Sequence, residues 1–122
     1  MSTSELSQSS KSQSNIAMIG LGVMGKSLAL NLLDQGFDVT GFDISEAHRE
    51  RAESEAKALA QKADKGSFFK AADLNQVLDS LVKPRVIALS VPAGNIVEAV
   101  IDDLLAAGLE QNDIVIDTGN SL

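Results

Sequence analysis

Three glycines constrain this chain more than anything else in it. Gly20, Gly22 and Gly25 stand between a short apolar run, Ile16 to Ile19, and an amphipathic stretch from Met24 to Leu33. An apolar strand that turns at once into a helix needs a connection without side chains. The first glycine allows the tight turn, the second lets another group approach the backbone, and the third lets the helix pack closely on the strand. G-x-G-x-x-G by itself is a loose pattern. After a strand and at the opening of a helix it marks a place where helix N–H groups face a phosphate.

The rest of the chain repeats the same alternation. Met24, Leu28 and Leu32 recur at i, i+4 and i+8 and give the first helix one apolar face, with Gly36 as its C-cap. Asp38 to Asp43 reads as a second strand, and Ser45 as the cap of a charged helix from about Glu46 to Lys62. Ser67 to Lys70 is a short edge strand, and Asp73 caps a helix through Leu81. After the stop at Pro84, Val86 to Val91 is a strongly apolar strand. Pro92 and Gly94 then turn the chain into a helix from Ile96 to Leu105 that ends at Gly108, and Asp113 to Asp117 is a last strand. The strands lack strict alternation, as expected where helices cover both faces of a sheet. Right-handed crossovers then predict an α/β fold. Its sheet is a doubly wound, Rossmann-type parallel sheet of five strands in the order 3-2-1-4-5, with a ligand crevice between the first and fourth strands.

Composition narrows the partners. Residues 1–15 are rich in Ser and Gln, with Met1 and Leu6 as the only apolar side chains, and are expected to be a disordered tail rather than a secretory signal. Residues 16–122 are expected to form one domain. No run approaches the roughly 18 apolar residues of a membrane span. The chain has no cysteine and a single histidine, His48, so no zinc site is expected, and His48 reads as an exposed helix residue. A net charge of −7 argues against a general nucleic-acid surface. It does not argue against an anion held locally by backbone N–H groups.

The glycine loop has two chemical readings. Gly20 to Ser27 also satisfies G-x-x-x-x-G-K-S, the phosphate loop of nucleotide triphosphatases, with Lys26 on the phosphates, Ser27 on magnesium and Asp117 as the metal-side acid. Asp43 favours the dinucleotide reading. It ends the second strand eighteen residues after Gly25, where a dinucleotide site places an acid against the adenosine ribose hydroxyls. A carboxylate there repels a 2′-phosphate, and Ile44 follows it in place of an arginine. Asp43 therefore favours NAD over NADP.

The run Gly20-Leu21-Gly22-Val23-Met24-Gly25-Lys26-Ser27-Leu28-Ala29-Leu30-Asn31 resembles the start of 6-phosphogluconate dehydrogenases, within the wider β-hydroxyacid dehydrogenases. Pro84-Arg85, Val91-Pro92-Ala93-Gly94 and Asp117-Thr118-Gly119-Asn120-Ser121 fit in order, so the resemblance covers residues 16–122. It implies a nicotinamide dinucleotide, NAD(P), with the pyrophosphate on Gly20, Leu21, Gly22, Val23, Met24 and Gly25. The adenosine ribose would lie at Asp43, Ile44 and Ser45, and the nicotinamide along Val91, Pro92 and Ala93. Asn120 would touch both nicotinamide and substrate. The chain departs from the family at Asp43-Ile44, where NADP-using members carry Asn-Arg, at Pro92 for a frequent Lys, and at Thr118 for a Gly.

The family reaction is oxidative decarboxylation of 6-phosphogluconate to ribulose 5-phosphate, a step of gluconate metabolism in the pentose phosphate pathway, carried out by cytoplasmic homodimers. The family's catalytic lysine and glutamate lie on a helical domain for which residues 1–122 have no counterpart. The expectation is therefore a fragment that binds cofactor without turnover, with no catalytic residue of its own. The alternatives are a standalone redox-sensing module and the triphosphatase.

Overall fold

The computed structural model describes residues 13–119. Nine elements alternate along them: β1 Ile16–Ile19, α1 Val23–Asp34, β2 Val39–Phe42, α2 Glu46–Ala60, β3 Phe68–Lys70, α3 Leu74–Ser80, β4 Val86–Leu89, α4 Asn95–Ala107 and β5 Ile114–Asp117. The five strands form one sheet in the order β3-β2-β1-β4-β5, and every pairing is parallel. This is the doubly wound order expected from the sequence. The reversal of winding falls between β1 and β4, so a crevice opens at their carboxyl ends. Among the described residues no helix is long and apolar enough to cross a membrane.

Each strand has alternating sides even though its sequence does not alternate. Ala17 and Ile19 of β1, with Ile87 and Leu89 of β4, pack with Val77, Leu78 and Leu104 of α3 and α4. Met18 and Ala88 point the other way and pack with Ala29 and Leu33 of α1 and Ala52 and Ala56 of α2. Burial on both faces makes both sets of positions apolar, which is why the strands read as unbroken runs.

The helix ends follow local chemistry. Asp73 accepts a hydrogen bond from the Gln76 N–H at 2.8 Å and starts α3. Ser45 accepts from the His48 N–H at 3.2 Å and starts α2. Past the end of α1, Gly36 adopts φ +97°, which lets the Gly36 and Phe37 N–H groups bond the Leu33 and Leu32 carbonyls, both at 3.0 Å.

Two expectations need correction. The inward stripe of α1 is Gly25, Ala29 and Leu33, one position on from Met24, Leu28 and Leu32. Small residues at the first two positions let the helix axis come close to the sheet. The larger side chains then flank the contact, and Met24 is 44% exposed. The boundary of the tail also moves. Ser14 is buried, bridges to Leu81, and takes a hydrogen bond from Thr40 Oγ1 at 2.8 Å. Asn15 exchanges hydrogen bonds with Asp38, each 2.8 Å. Ser14 and Asn15 therefore belong to the folded domain, because the amino ends of the strands need polar partners that these side chains supply. Residues 1–12 of the expected tail lie outside the described residues.

Candidate functional site

The carboxyl end of β1 is where the fold holds the glycine loop. The Gly20 N–H donates to the Phe42 carbonyl at 2.8 Å, tying the loop to β2. Gly20 adopts φ +100°, and a Cβ there would lie 2.2 Å from the Ser90 carbonyl oxygen. A Cβ on Gly25 would lie 1.8 Å from the Gly20 carbonyl oxygen, so the first turn of α1 rests on the loop that precedes it. Gly22 differs from both. Nothing lies within 4 Å of the place its Cβ would take. It caps α1 with no side-chain hydrogen bond, and no acid occupies the first turn. The leading N–H groups of a helix have no partner within it. With open space beside Gly22, that end of the helix is suited to an anion.

Asp43, just past β2, is tied to that loop. Its Oδ2 accepts from the Leu21 N–H at 2.7 Å and its Oδ1 from the Ser45 N–H at 2.8 Å. His48 Nδ1 lies 3.2 Å from Oδ2. An ionised carboxylate only accepts, so this contact puts the proton of a neutral His48 on Nδ1. Burial raises the Asp43 carboxyl pKa. The two backbone N–H groups and His48 outweigh that and hold it below the ordinary value of 3.8. A carboxylate offers about four acceptor directions, of which three are taken, leaving one on Oδ1 for a further donor such as a ribose hydroxyl.

Seven of the expected site residues line one crevice of about 540 Å³: Gly20, Gly22, Asp43, Ile44, Ser45, Val91 and Pro92. Leu21 is buried beneath it and contributes its N–H to Asp43. Val23 and Met24 are exposed at the start of α1, Gly25 is buried against Gly20, and Ala93 is exposed beyond Pro92. Asn120 lies outside the described residues.

Sequence reasoning missed three contributors. His48 is not simply exposed: its side chain is 40% accessible and it meets Asp43. Arg49 turns toward the site. Its Nη1 donates to the Asp43 carbonyl at 2.6 Å, and its guanidinium lies 5.9 Å from the centre of the Phe42 ring. Both sit in the first turn of the helix that Ser45 caps, so the cap was the available signal. Ser90 also lines the crevice. Its sequence signal was a lone hydroxyl closing an apolar strand.

The triphosphatase reading finds less support in where its residues lie. Lys26 Nζ is bound to Glu55 of α2 at 2.6 Å. Asp117 ends β5, which β4 separates from β1.

A family model for the NAD binding domain of 6-phosphogluconate dehydrogenase matches residues 15–122. The chain belongs to that family. Two relatives come from Bacillus subtilis. An NADP(+)-dependent, decarboxylating 6-phosphogluconate dehydrogenase is 40% identical over 110 residues, covering 90% of this chain and 22% of that protein. An NAD(+)-dependent one is 37% identical over 107 residues, covering 88% and 21%. Among solved structures, a 6-phosphogluconate dehydrogenase from Plasmodium falciparum, studied with NADP+ and with 6-phosphogluconate, superposes with a TM-score of 0.70. It is 30% identical and covers 84% of this chain and 21% of that one. The chain thus spans about a fifth of the length of these relatives. It is an NAD(P)-binding domain of the 6-phosphogluconate dehydrogenase family, and the relatives include both NAD(+)- and NADP(+)-dependent forms.

Proposed function

We propose that the crevice takes a nicotinamide dinucleotide in one orientation. The pyrophosphate lies over Gly20 to Gly25 at the start of α1, and the adenosine ribose donates to Asp43 beside Ile44 and Ser45. The nicotinamide lies toward Val91, Pro92 and Ala93. The observation that carries this reading is the join between Asp43 and the Leu21 N–H. It links the proposed ribose acceptor to the loop assigned to the phosphates, which supports a single ligand spanning the two. Charge-assisted hydrogen bonds of this kind contribute about 1.5–3 kcal/mol each.

NAD is the preferred cofactor in this reading. The Asp43 carboxylate is 12% exposed and held in its charged form. A 2′-phosphate at ~4 Å would meet repulsion of about 1 kcal/mol per charge pair in water and about 4 kcal/mol at an effective dielectric of 20. Arg49, the nearest guanidinium, is already bonded to the Asp43 carbonyl.

The proposed role is the cofactor half of a cytoplasmic enzyme that oxidises and decarboxylates 6-phosphogluconate to ribulose 5-phosphate, working as a homodimer. The nicotinamide ring supplies the hydride acceptor. Gly20 to Gly25, Asp43 and Val91 to Ala93 bind and orient the dinucleotide, and Asn120 is assigned to both nicotinamide and substrate. No catalytic residue is assigned within residues 1–122, and the contribution proposed for these residues is cofactor binding. Calorimetric titration with NAD+ and NADP+ tests the reading. Saturable binding of both, tighter for NAD+, is expected, and no saturable heat from either would overturn it.

A further inference from the structure

We propose that the hydroxyl of Ser90 is a ligand for the pyrophosphate of the bound dinucleotide, a role that rests on the dinucleotide reading above. Ser90 directly follows β4 and is 6% exposed. Its N–H donates to the Ile19 carbonyl at 2.8 Å, which seats it level with the start of the glycine loop. Ala88 packs on the α1 side of the sheet. Ser90, two residues on, points to that side as well. There it lies beneath the first turn of α1, where a Cβ added at Gly25 would come 3.1 Å from the Ser90 Cβ. The side chain is thus set against both ends of the anion loop, and the residue lines the crevice.

Its oxygen stands apart from the other buried hydroxyls. Among the described residues Ser90 Oγ is the one buried side-chain polar atom without a hydrogen-bond partner. Thr40, Ser14 and Ser80 are joined to one another, and Ser80 Oγ also donates to the Val77 carbonyl at 2.8 Å. Folded proteins seldom leave a buried hydroxyl unpaired. An apolar side chain would fill a purely structural position without that cost. Phosphate oxygens only accept and a hydroxyl donates, so the pyrophosphate supplies the missing partner.

The test is calorimetric titration of the chain and its Ser90→Ala variant with NAD+, ADP-ribose and adenosine, alongside thermal melts. Ser90→Ala should weaken NAD+ and ADP-ribose about tenfold, as expected for one hydrogen bond to a charged group. It should leave adenosine unchanged and melt no lower than the parent. Ser90→Cys keeps the shape with a weak donor, should show the same loss, and carries the test if the alanine variant fails to fold. Equal NAD+ affinity in parent and variants would overturn the assignment. A loss confined to NAD+ would overturn it too, since it would place the hydroxyl at the nicotinamide. A loss that extends to adenosine would reduce Ser90 to a structural part. If the parent itself bound neither NAD+ nor ADP-ribose, the dinucleotide reading would fall first and this one with it.

Discussion

The two ends of the sheet solve the same problem in opposite ways. All five strands run in parallel, so every amino end lies on one side and every carboxyl end on the other. At the amino ends the polar groups close on one another. Ser14, Thr40 and Ser80 form a buried hydroxyl chain. Arg85 and Asp113 form a pair at 2.8 Å, with side chains only 8% and 2% exposed. Asp113 also accepts from the Arg85 and Glu110 N–H groups, each at 2.8 Å. At the carboxyl ends some polar groups are left without partners and the surface stays open. The start of α1 has no side-chain cap, Ser90 Oγ has no partner, and Val23 and Ile44 are 85% and 91% exposed. One end is arranged for stability and the other for a ligand, so substitutions at the two ends should separate those properties.

The largest effect is expected at the closed end. Asp113→Ala would leave the Arg85 guanidinium buried and two N–H groups without their acceptor. Removing one partner of a buried pair costs about 3–5 kcal/mol. Urea denaturation should show a loss of that size, while NAD+ affinity of the fraction that remains folded should be unchanged. Lost affinity with unchanged stability would break the contrast. Acid probes the same pair. Burial raises the Asp113 pKa, but the Arg85 and Glu110 N–H groups and the Arg85 charge together hold it below 3.8. Between the depressed folded value and the unfolded one, the unfolded chain binds more protons, so stability rises with pH there. The contribution is complete above the unfolded value and should be lost as pH falls through the lower folded one. Denaturation midpoints followed down from pH 7 should drop below pH 4, and Asp113→Asn should remove part of that drop.

Next in size is Gly25→Ala at the open end. The added methyl group would meet the backbone of Gly20 rather than a flexible side chain. Overpacking of this kind costs about 1–3 kcal/mol. Moving the first turn of α1 also misplaces the N–H groups that face the pyrophosphate. NAD+ affinity should therefore fall further than stability alone would bring it down. A variant that melts lower but binds NAD+ as well as the parent would show that the helix start does not hold the phosphates.

The sequence revealed the closed and open ends unequally. Strand order was legible because five short strands and their glycine and proline boundaries leave few parallel arrangements. The glycine loop was legible because its context, strand before and helix after, is local. Ser14 was misplaced in the tail because a serine among serines carries no sign that it will be buried against Thr40. The inward face of α1 was displaced by one residue because leucines outrank Gly25 and Ala29 in any apolar count, although the close approach to Gly20 needs the small ones. Asp43 was read as a ribose acceptor. Its bond to Leu21, 22 residues away, could not be, since a sequence does not say which backbone donor a carboxylate will meet. His48 and Arg49 were missed for the same reason.

Asp43→Asn is expected to have a smaller effect that cuts in two directions. The amide would keep one oxygen acceptor and set an N–H₂ group against the other backbone N–H. Residue 43 therefore loses one of its two bonds to backbone N–H groups, and affinity for both cofactors should fall modestly. The repulsion toward a 2′-phosphate would fall at the same time, narrowing the NAD+ over NADP+ preference by about 1 kcal/mol or more. An unchanged ratio of the two affinities would show that Asp43 holds the loop without choosing the cofactor.

The smallest effect should appear at the side of the sheet. β5 pairs only with β4 among the described residues, and Ile114 and Ile116 on it are 52% and 43% exposed. They lie two residues apart and so share one face. An apolar strand edge is a template for pairing with another chain. The 122-residue chain is expected to self-associate weakly through this strand, and Ile116→Lys should reduce that association, because a charge on an edge strand opposes further pairing. Sedimentation at rising concentration measures it. NAD+ affinity should not change, because β4 lies between β5 and the glycine loop of β1. A parent chain that stays monomeric at high concentration would refute the association. An Ile116→Lys variant that binds NAD+ more weakly would show instead that the open end of the sheet extends across β4 to its margin.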